Sequence, residues 1–153
     1  MDYFLHPKPA YFAIARELAP FTVGMTRKSV KTFAAPDTLA HFTISSVLEI
    51  WGTNSYSQEK RVCLELNAFD VEAGTPIPFT ADGWDGGKKE VTLAPNSTTE
   101  IWKGQTPGVE DVHVEGMHNK PIVVQARLID VDTCVILARH SNWCVFSLTT
   151  DNN

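Results

Sequence analysis

Apolar and polar side chains alternate along most of this chain, and the alternation sets in only after Pro20. From His41 to Trp51, Phe42, Ile44, Leu48 and Ile50 fall on one side and Thr43, Ser45, Glu49 and Trp51 on the other, the period of a half-buried strand. The run Val62 to Phe69 repeats this, with Val62, Leu64, Leu66 and Ala68 set against Cys63, Glu65, Asn67 and Phe69. Thr53-Asn54-Ser55 marks a turn after the first run, and the two runs could pair as a hairpin. Ile122, Val124, Ala126 and Leu128 form a third apolar row within Pro121 to Asp130, followed by a turn at Asp130-Val131-Asp132 and a final strand from Thr133 to Arg139. Shorter strands are predicted over Phe21 to Arg27, Glu90 to Leu93 and Thr98 to Lys103, with looser connections over 28–38, 72–89 and 104–120.

The stretch before Pro20 has a different period. In PKPAYFAIARELAP, Tyr11, Ile14 and Leu18 share one helical face, with Phe12, Ala15 and Ala19 beside them. Pro9 suits the first turn of a helix, where its missing N–H would be unpaired anyway, and Pro20 stops the ladder. A helix this short is marginal alone because nucleation is costly, so its apolar face must be covered by something else. One N-terminal helix followed by roughly six to eight strands separated by turns predicts an all-β fold, an antiparallel β-sandwich.

A length of 153 residues suits one domain, or one domain with a piece of another. Against 18 acidic residues stand 13 basic ones, and the one short basic stretch, Arg27, Lys28 and Lys31, reads as solvated surface, which argues against nucleic acid as a partner. No window approaches the roughly 20 apolar residues of a membrane span, and no basic-then-apolar leader opens the chain. Cys63, Cys134 and Cys144 have no zinc-like spacing; reduced thiols are the simplest state, and a Cys63–Cys134 disulfide stays open. Asn96-Ser97-Thr98 fits a glycosylation sequon that matters only in a secreted chain.

Candidate chemistry is sparse. The histidines His6, His41, His113, His118 and His140 are scattered, and His113 with His118 would hold a metal only if further ligands converged. DGWDGG, with Asp82 and Asp85, lacks the other spaced oxygens of a calcium loop and reads as a tight surface turn from which Trp84 packs back or stands exposed. Glu110 and Asp111, adjacent in sequence, cannot face each other across a glycosidic bond and read as a solvated acidic loop. Trp51, Trp84, Trp102 and Trp143 are candidates for stacking on sugar rings, set against the commoner role of core and edge packing.

The opening DYFLHPKPAYFAIARELAPFTVGMTRK, together with LEIWGTNS and LELNAFDVEAG, resembles the β-mannosidases of the family-two glycoside hydrolases, the fungal B-type enzymes in particular. In that family a (β/α)8 barrel carries catalysis and immunoglobulin-like sandwiches follow it. The resemblance implies that residues 1–20 hold the last barrel helix, that 21–143 form an immunoglobulin-like sandwich, and that 144–153 are a divergent or truncated tail. Asp2 and Tyr3 would lie in the loop before that helix, without an assigned role. No position matches the family's catalytic glutamates, so the resemblance implies no catalytic, substrate-binding or metal-binding residue, no cofactor, and a chain inactive alone.

The parent activity implied is retaining hydrolysis of terminal β-D-mannose, with an exo-β-glucosaminidase parent or a stand-alone carbohydrate-binding module as alternatives. Implied partners are β-mannoside glycans through the parent enzyme, and the barrel and a neighbouring sandwich within the same chain. The exposed helix would dock on the sandwich, fray, or pair with a second copy, and the B-type likeness implies a cytoplasmic location.

Overall fold

The computed structural model describes residues 8–33, 42–108, 112–113 and 121–144. It contains one helix, α1 (Pro9–Glu17), and, among the described residues, nine strands: β1 (Phe21–Phe33), β2 (Phe42–Asn54), β3 (Lys60–Asp70), β4 (Thr75–Ile77), β5 (Lys88–Leu93), β6 (Ser97–Gln105), β7 (Val112–His113), β8 (Ile122–Asp130) and β9 (Ile136–Cys144). They form two antiparallel sheets. In the first, β2 lies between β1 and β6, and β7 extends the β6 side along the other end of β2. In the second, β3 and β8 are central, β9 flanks β8, and β4 and β5 share the far side of β3 as one broken edge strand. This is the expected antiparallel sandwich preceded by one helix, and its strand order is that of an immunoglobulin-like domain.

The alternation seen along the sequence is what faces the two layers inward. Val62, Leu64, Leu66 and Ala68 of β3 and Ile122, Val124, Ala126 and Leu128 of β8 are buried, while the residues between them are not. Opposite them, the first sheet contributes Val23 and Met25 from β1, Leu48 and Ile50 from β2 and Ile101 from β6. Leu93 at the end of β5 fills the gap between sheets. Each fully buried aliphatic side chain contributes about 1.5–3 kcal/mol relative to exposure.

The hairpin that the His41–Trp51 and Val62–Phe69 runs could make does not form. β2 pairs with β1 and β6, β3 pairs with β8, and the two belong to opposite layers. Both runs bury an entire face, and the interlayer contact between those faces removes more apolar surface from water than lateral pairing within one sheet would. Asn54 turns the chain from one layer to the other. Its fully buried amide donates to the carbonyls of Gln58 (2.8 Å) and Leu93 (3.3 Å), and its Oδ1 accepts from the Tyr56 N–H (2.9 Å).

Two boundaries also move. β1 continues through Lys28 to Phe33, where loose connection was expected, because all thirteen of its residues pair with β2 although their side chains are mostly polar. β9 starts at Ile136 rather than Thr133, since 131–135 form the hairpin loop: Asp130 N–H donates to Val135 O (2.9 Å), and Cys134 takes a positive φ of 58°.

At the loop, Lys60 Nζ lies 2.8 Å from Asp130 Oδ1 and 3.7 Å from Asp132 Oδ2. The hydrogen bond from Lys60, helped by N–H donation from Asp132, holds the Asp130 carboxyl below the usual carboxylate range, and the same bond raises Lys60.

Two predictions follow from this packing. Leu64→Ala should lower unfolding stability by about 3 kcal/mol in chemical denaturation, as expected for emptying a fully buried leucine site. A depressed carboxyl stabilises above its unfolded pKa and loses that contribution as pH falls through its folded value; a raised lysine loses its contribution on the alkaline side. Asp130→Asn should therefore lower stability near neutrality and flatten both the acid and the alkaline limbs of the stability profile. An unchanged acid limb would show that the pair contributes nothing.

Candidate functional site

Helix α1 is bounded as its prolines dictate. Pro9 stands in the first turn, extended Lys8 precedes it without a side-chain cap, and Leu18 and Ala19 close the last turn through bonds to Ile14 O (2.9 Å) and Arg16 O (3.2 Å). Arg16 in the last turn suits the negative end of the helix dipole. None of the helical residues is buried. Pro9, Phe12, Ala13 and Arg16 turn toward Gln125 on β8 and Arg139, His140 and Ser141 on β9, across an open groove of about 730 Å3. Burial, with the Arg16 charge adding, holds His140 below the usual imidazole range.

Tyr11, Ile14 and Leu18 are 60%, 59% and 78% exposed. None of these three lines the groove, and Phe12, which does, is itself 60% exposed. The sequence left docking, fraying and pairing open for this face; among the described residues nothing covers it.

The tryptophans sort by environment. Trp84 packs back from DGWDGG, as one of the two expected arrangements, and meets Phe79 and Trp102 edge to face at 4.7 and 5.6 Å between ring centres, with Phe79 to Trp102 at 5.2 Å. Trp102 reaches this cluster through a bulge. Ile50 opposes Trp102 and Trp51 opposes Glu100, so Ile101 is the extra residue and the inward phase of β6 shifts by one. Trp84 and Trp102 are both partly buried and spend ring contacts on one another beside the core, and the Trp84 Nε1 has no hydrogen-bond partner among the described residues.

Trp51 lies on the outer face of the first sheet, over Gly24 of β1, where any side chain would collide with its indole. Trp143 lies in β9, with its side chain outside the described set.

DGWDGG itself is a turn, as expected. Asp85 and Lys88 exchange backbone bonds (2.8 and 2.9 Å) around Gly86 and Gly87, both at positive φ (53° and 81°), the two-residue hairpin geometry that glycine permits. Gly87 also passes close to β3, where a Cβ would sit 2.8 Å from Leu66 O. Asp82 and Asp85 are exposed, and among the described residues no group of His, Cys, Asp and Glu could hold a metal ion.

The remaining candidates do not converge. Arg27 corrects the expectation of a solvated basic patch: it points inward from β1, and its Nε donates to Ser46 Oγ. Lys28 points outward to Glu49 (2.7 Å), which also holds Lys103 (2.8 Å), and these two bonds keep the Glu49 carboxyl low. Lys31 lies in β1, but its side chain is outside the described set, as are those of His113 and Cys144.

Asp2, Tyr3, His6, His41, Glu110, Asp111, His118 and the 145–153 part of the tail are outside the described residues altogether. Cys63 and Cys134 are free thiols, so the disulfide left open by the sequence is not made; burial pushes Cys63 up. No helix of the described residues is long and apolar enough to cross a membrane.

One feature invisible in the sequence is a cleft of about 290 Å3 at the end of the sandwich where α1 enters. Phe21, the run from Tyr56 to Lys60, Asp130 and Leu137 line it, from four places along the chain that no spacing rule connects.

The family model described as Mannosidase Ig/CBM-like domain matches residues 46–146, more than half of the chain. Beta-mannosidase B of Thermothelomyces thermophilus is 32% identical over 144 residues, covering 94% of this chain and 16% of the relative. Beta-mannosidase B of Aspergillus terreus is 35% identical over 147 residues, covering 94% of the chain and 15% of the relative. The chain therefore spans about one sixth of the length of these relatives. Among solved structures, a calcium-binding mutant of Bacteroides uniformis beta-glucuronidase 2 superposes with a TM-score of 0.54 at 12% identity, over 83% of this chain and 14% of that one, which speaks to the fold alone. By the reach of the family match across β2 to β9, the chain belongs to the mannosidase Ig/CBM-like domain family.

Proposed function

We propose that this sandwich is a non-catalytic accessory domain of a β-mannosidase, and that α1 seats it against the catalytic barrel. The observation that carries the reading is the outward apolar face of Tyr11, Ile14 and Leu18, exposed on a helix whose other side faces β8 and β9. The likeness to fungal beta-mannosidase B supports the choice of parent. A helix with an apolar stripe turned away from its own sandwich suits burial between two bodies. Retaining glycoside hydrolysis needs two carboxyl groups facing each other about 5–5.5 Å apart across the bond. The less exposed carboxylates here have other duties: Glu49 and Glu65 are held by cations, and Asp70 and Asp130 cap turns.

Purified chain incubated with a chromogenic β-D-mannopyranoside should release no more product than a mock preparation; turnover in proportion to this protein would overturn the non-catalytic reading. Ile14→Asp combined with Leu18→Asp should leave stability within about 1 kcal/mol of wild type, because neither side chain is buried, while reducing the binding of a fluorescent apolar dye. Light scattering should find a monomer. A dimer that the double substitution dissolves would make a second copy, rather than the barrel, the body covering the helix.

A further inference from the structure

We propose that the cleft at the α1 end of the sandwich binds a neutral polyhydroxyl ligand, a sugar residue, with Tyr56 as its stacking surface. Tyr56 is 54% exposed, and its ring rests tilted against Phe21 at 5.3 Å between centres. Its backbone is fixed on both sides. The Tyr56 N–H donates to Asn54 Oδ1 (2.9 Å), and its carbonyl accepts from the Asn96 N–H (2.9 Å). The Asn54 amide holds Gln58 O at 2.8 Å, so the loop that carries the ring is ordered before any ligand arrives. Leu137, the extra residue of a bulge in β9, adds an apolar contact at the same cleft.

The polar side of the cleft selects the ligand class. Lys60 has two carboxylates near its ammonium: the contact to Asp130 at 2.8 Å uses one of its three N–H donors, and Asp132 at 3.7 Å adds charge without reaching hydrogen-bond distance. A cation entering here would meet Lys60, and an anion would meet Asp130, Asp132 and Glu59. A hydroxyl both donates and accepts, so it suits a wall that offers an ammonium and carboxylates side by side. The C–H face of a pyranose suits the open face of Tyr56. At about 290 Å3 the cleft is at the small end for ligand pockets, which fits one ring rather than a long oligosaccharide. The proposal does not depend on which body covers α1.

The test is a two-dimensional amide NMR titration of the 153-residue chain with methyl β-D-mannopyranoside and with β-1,4-mannotriose. Saturable shifts confined to 56–60 and 130–137 are expected, with the indole signals of Trp51 and Trp84 unmoved. Tyr56→Ala should weaken binding about tenfold and Tyr56→Phe should not, since the ring rather than its hydroxyl stacks. Tyr56→Leu, which keeps an apolar side chain on Phe21, should repeat the loss if the alanine variant is poorly folded. Absence of saturation at tens of millimolar sugar, shifts centred elsewhere, or undiminished binding by a well-folded Tyr56→Leu would overturn the site. Equal saturation by acetate or guanidinium would overturn its selectivity for neutral ligands.

Discussion

The register between β3 and β8 decides which way the side chains of the second sheet face. Their cross-strand pairs run from Val62 opposite Asp130 to Asp70 opposite Ile122. A slip of one residue would bury Cys63, Glu65 and Asn67 and expose the leucines, so the apolar rows alone define the register strongly. The ends pin it further. Asp70 Oδ1 accepts from the N–H groups of Glu72 (3.0 Å) and Ala73 (2.9 Å) just past β3, and Asp130 Oδ1 accepts from Asp132 N–H (3.0 Å) just past β8. Two aspartates thus end the two central strands in the same way, at opposite ends of one ladder. The first sheet is placed by this choice, because Leu48, Ile50 and Ile101 pack on a surface whose relief β3 and β8 set.

Outside the sandwich the charges are organised around carboxylates. Glu49 joins Lys28 of β1 to Lys103 of β6 across β2, and Glu65 joins Lys88 of β5 to Arg127 of β8 across β3. Each sheet carries one glutamate on its solvent face bridging both neighbouring strands. Solvent screens exposed pairs of this kind, so they are too weak to hold the layers together. Their effect is on alternatives: a β5 displaced by two residues would set Glu90 opposite Glu65, like charge against like charge.

Much of this architecture is legible in the sequence because a strand with one wet face must alternate. The rows in β2, β3 and β8 announce themselves, and α1 is marked by the change of period and by Pro9 and Pro20. The partition of strands between sheets is not legible, since an alternating strand looks the same whether its neighbour lies beside it or across the core. That is why β2 and β3 invite a hairpin and instead face each other. Bulges are hidden for a related reason: the extra Ile101 and Leu137 are apolar residues that break no pattern a short window can see. Arg27 next to Lys28 reads as a basic patch, yet neighbours on a strand point to opposite faces. The Tyr56 cleft is assembled from separate segments, so only the fold brings its parts together.

Between the last residue of α1 and the first of β1 stand Leu18, Ala19 and Pro20 alone. Pro20 has a restricted φ, and its carbonyl accepts a bond from Ser55 N–H (2.9 Å) on the loop that crosses from one layer to the other. So short and braced a joint leaves no slack. A helix seated in another body would act on this sandwich as a crank rather than a tether, and any rotation of that body would swing the Tyr56 end with it.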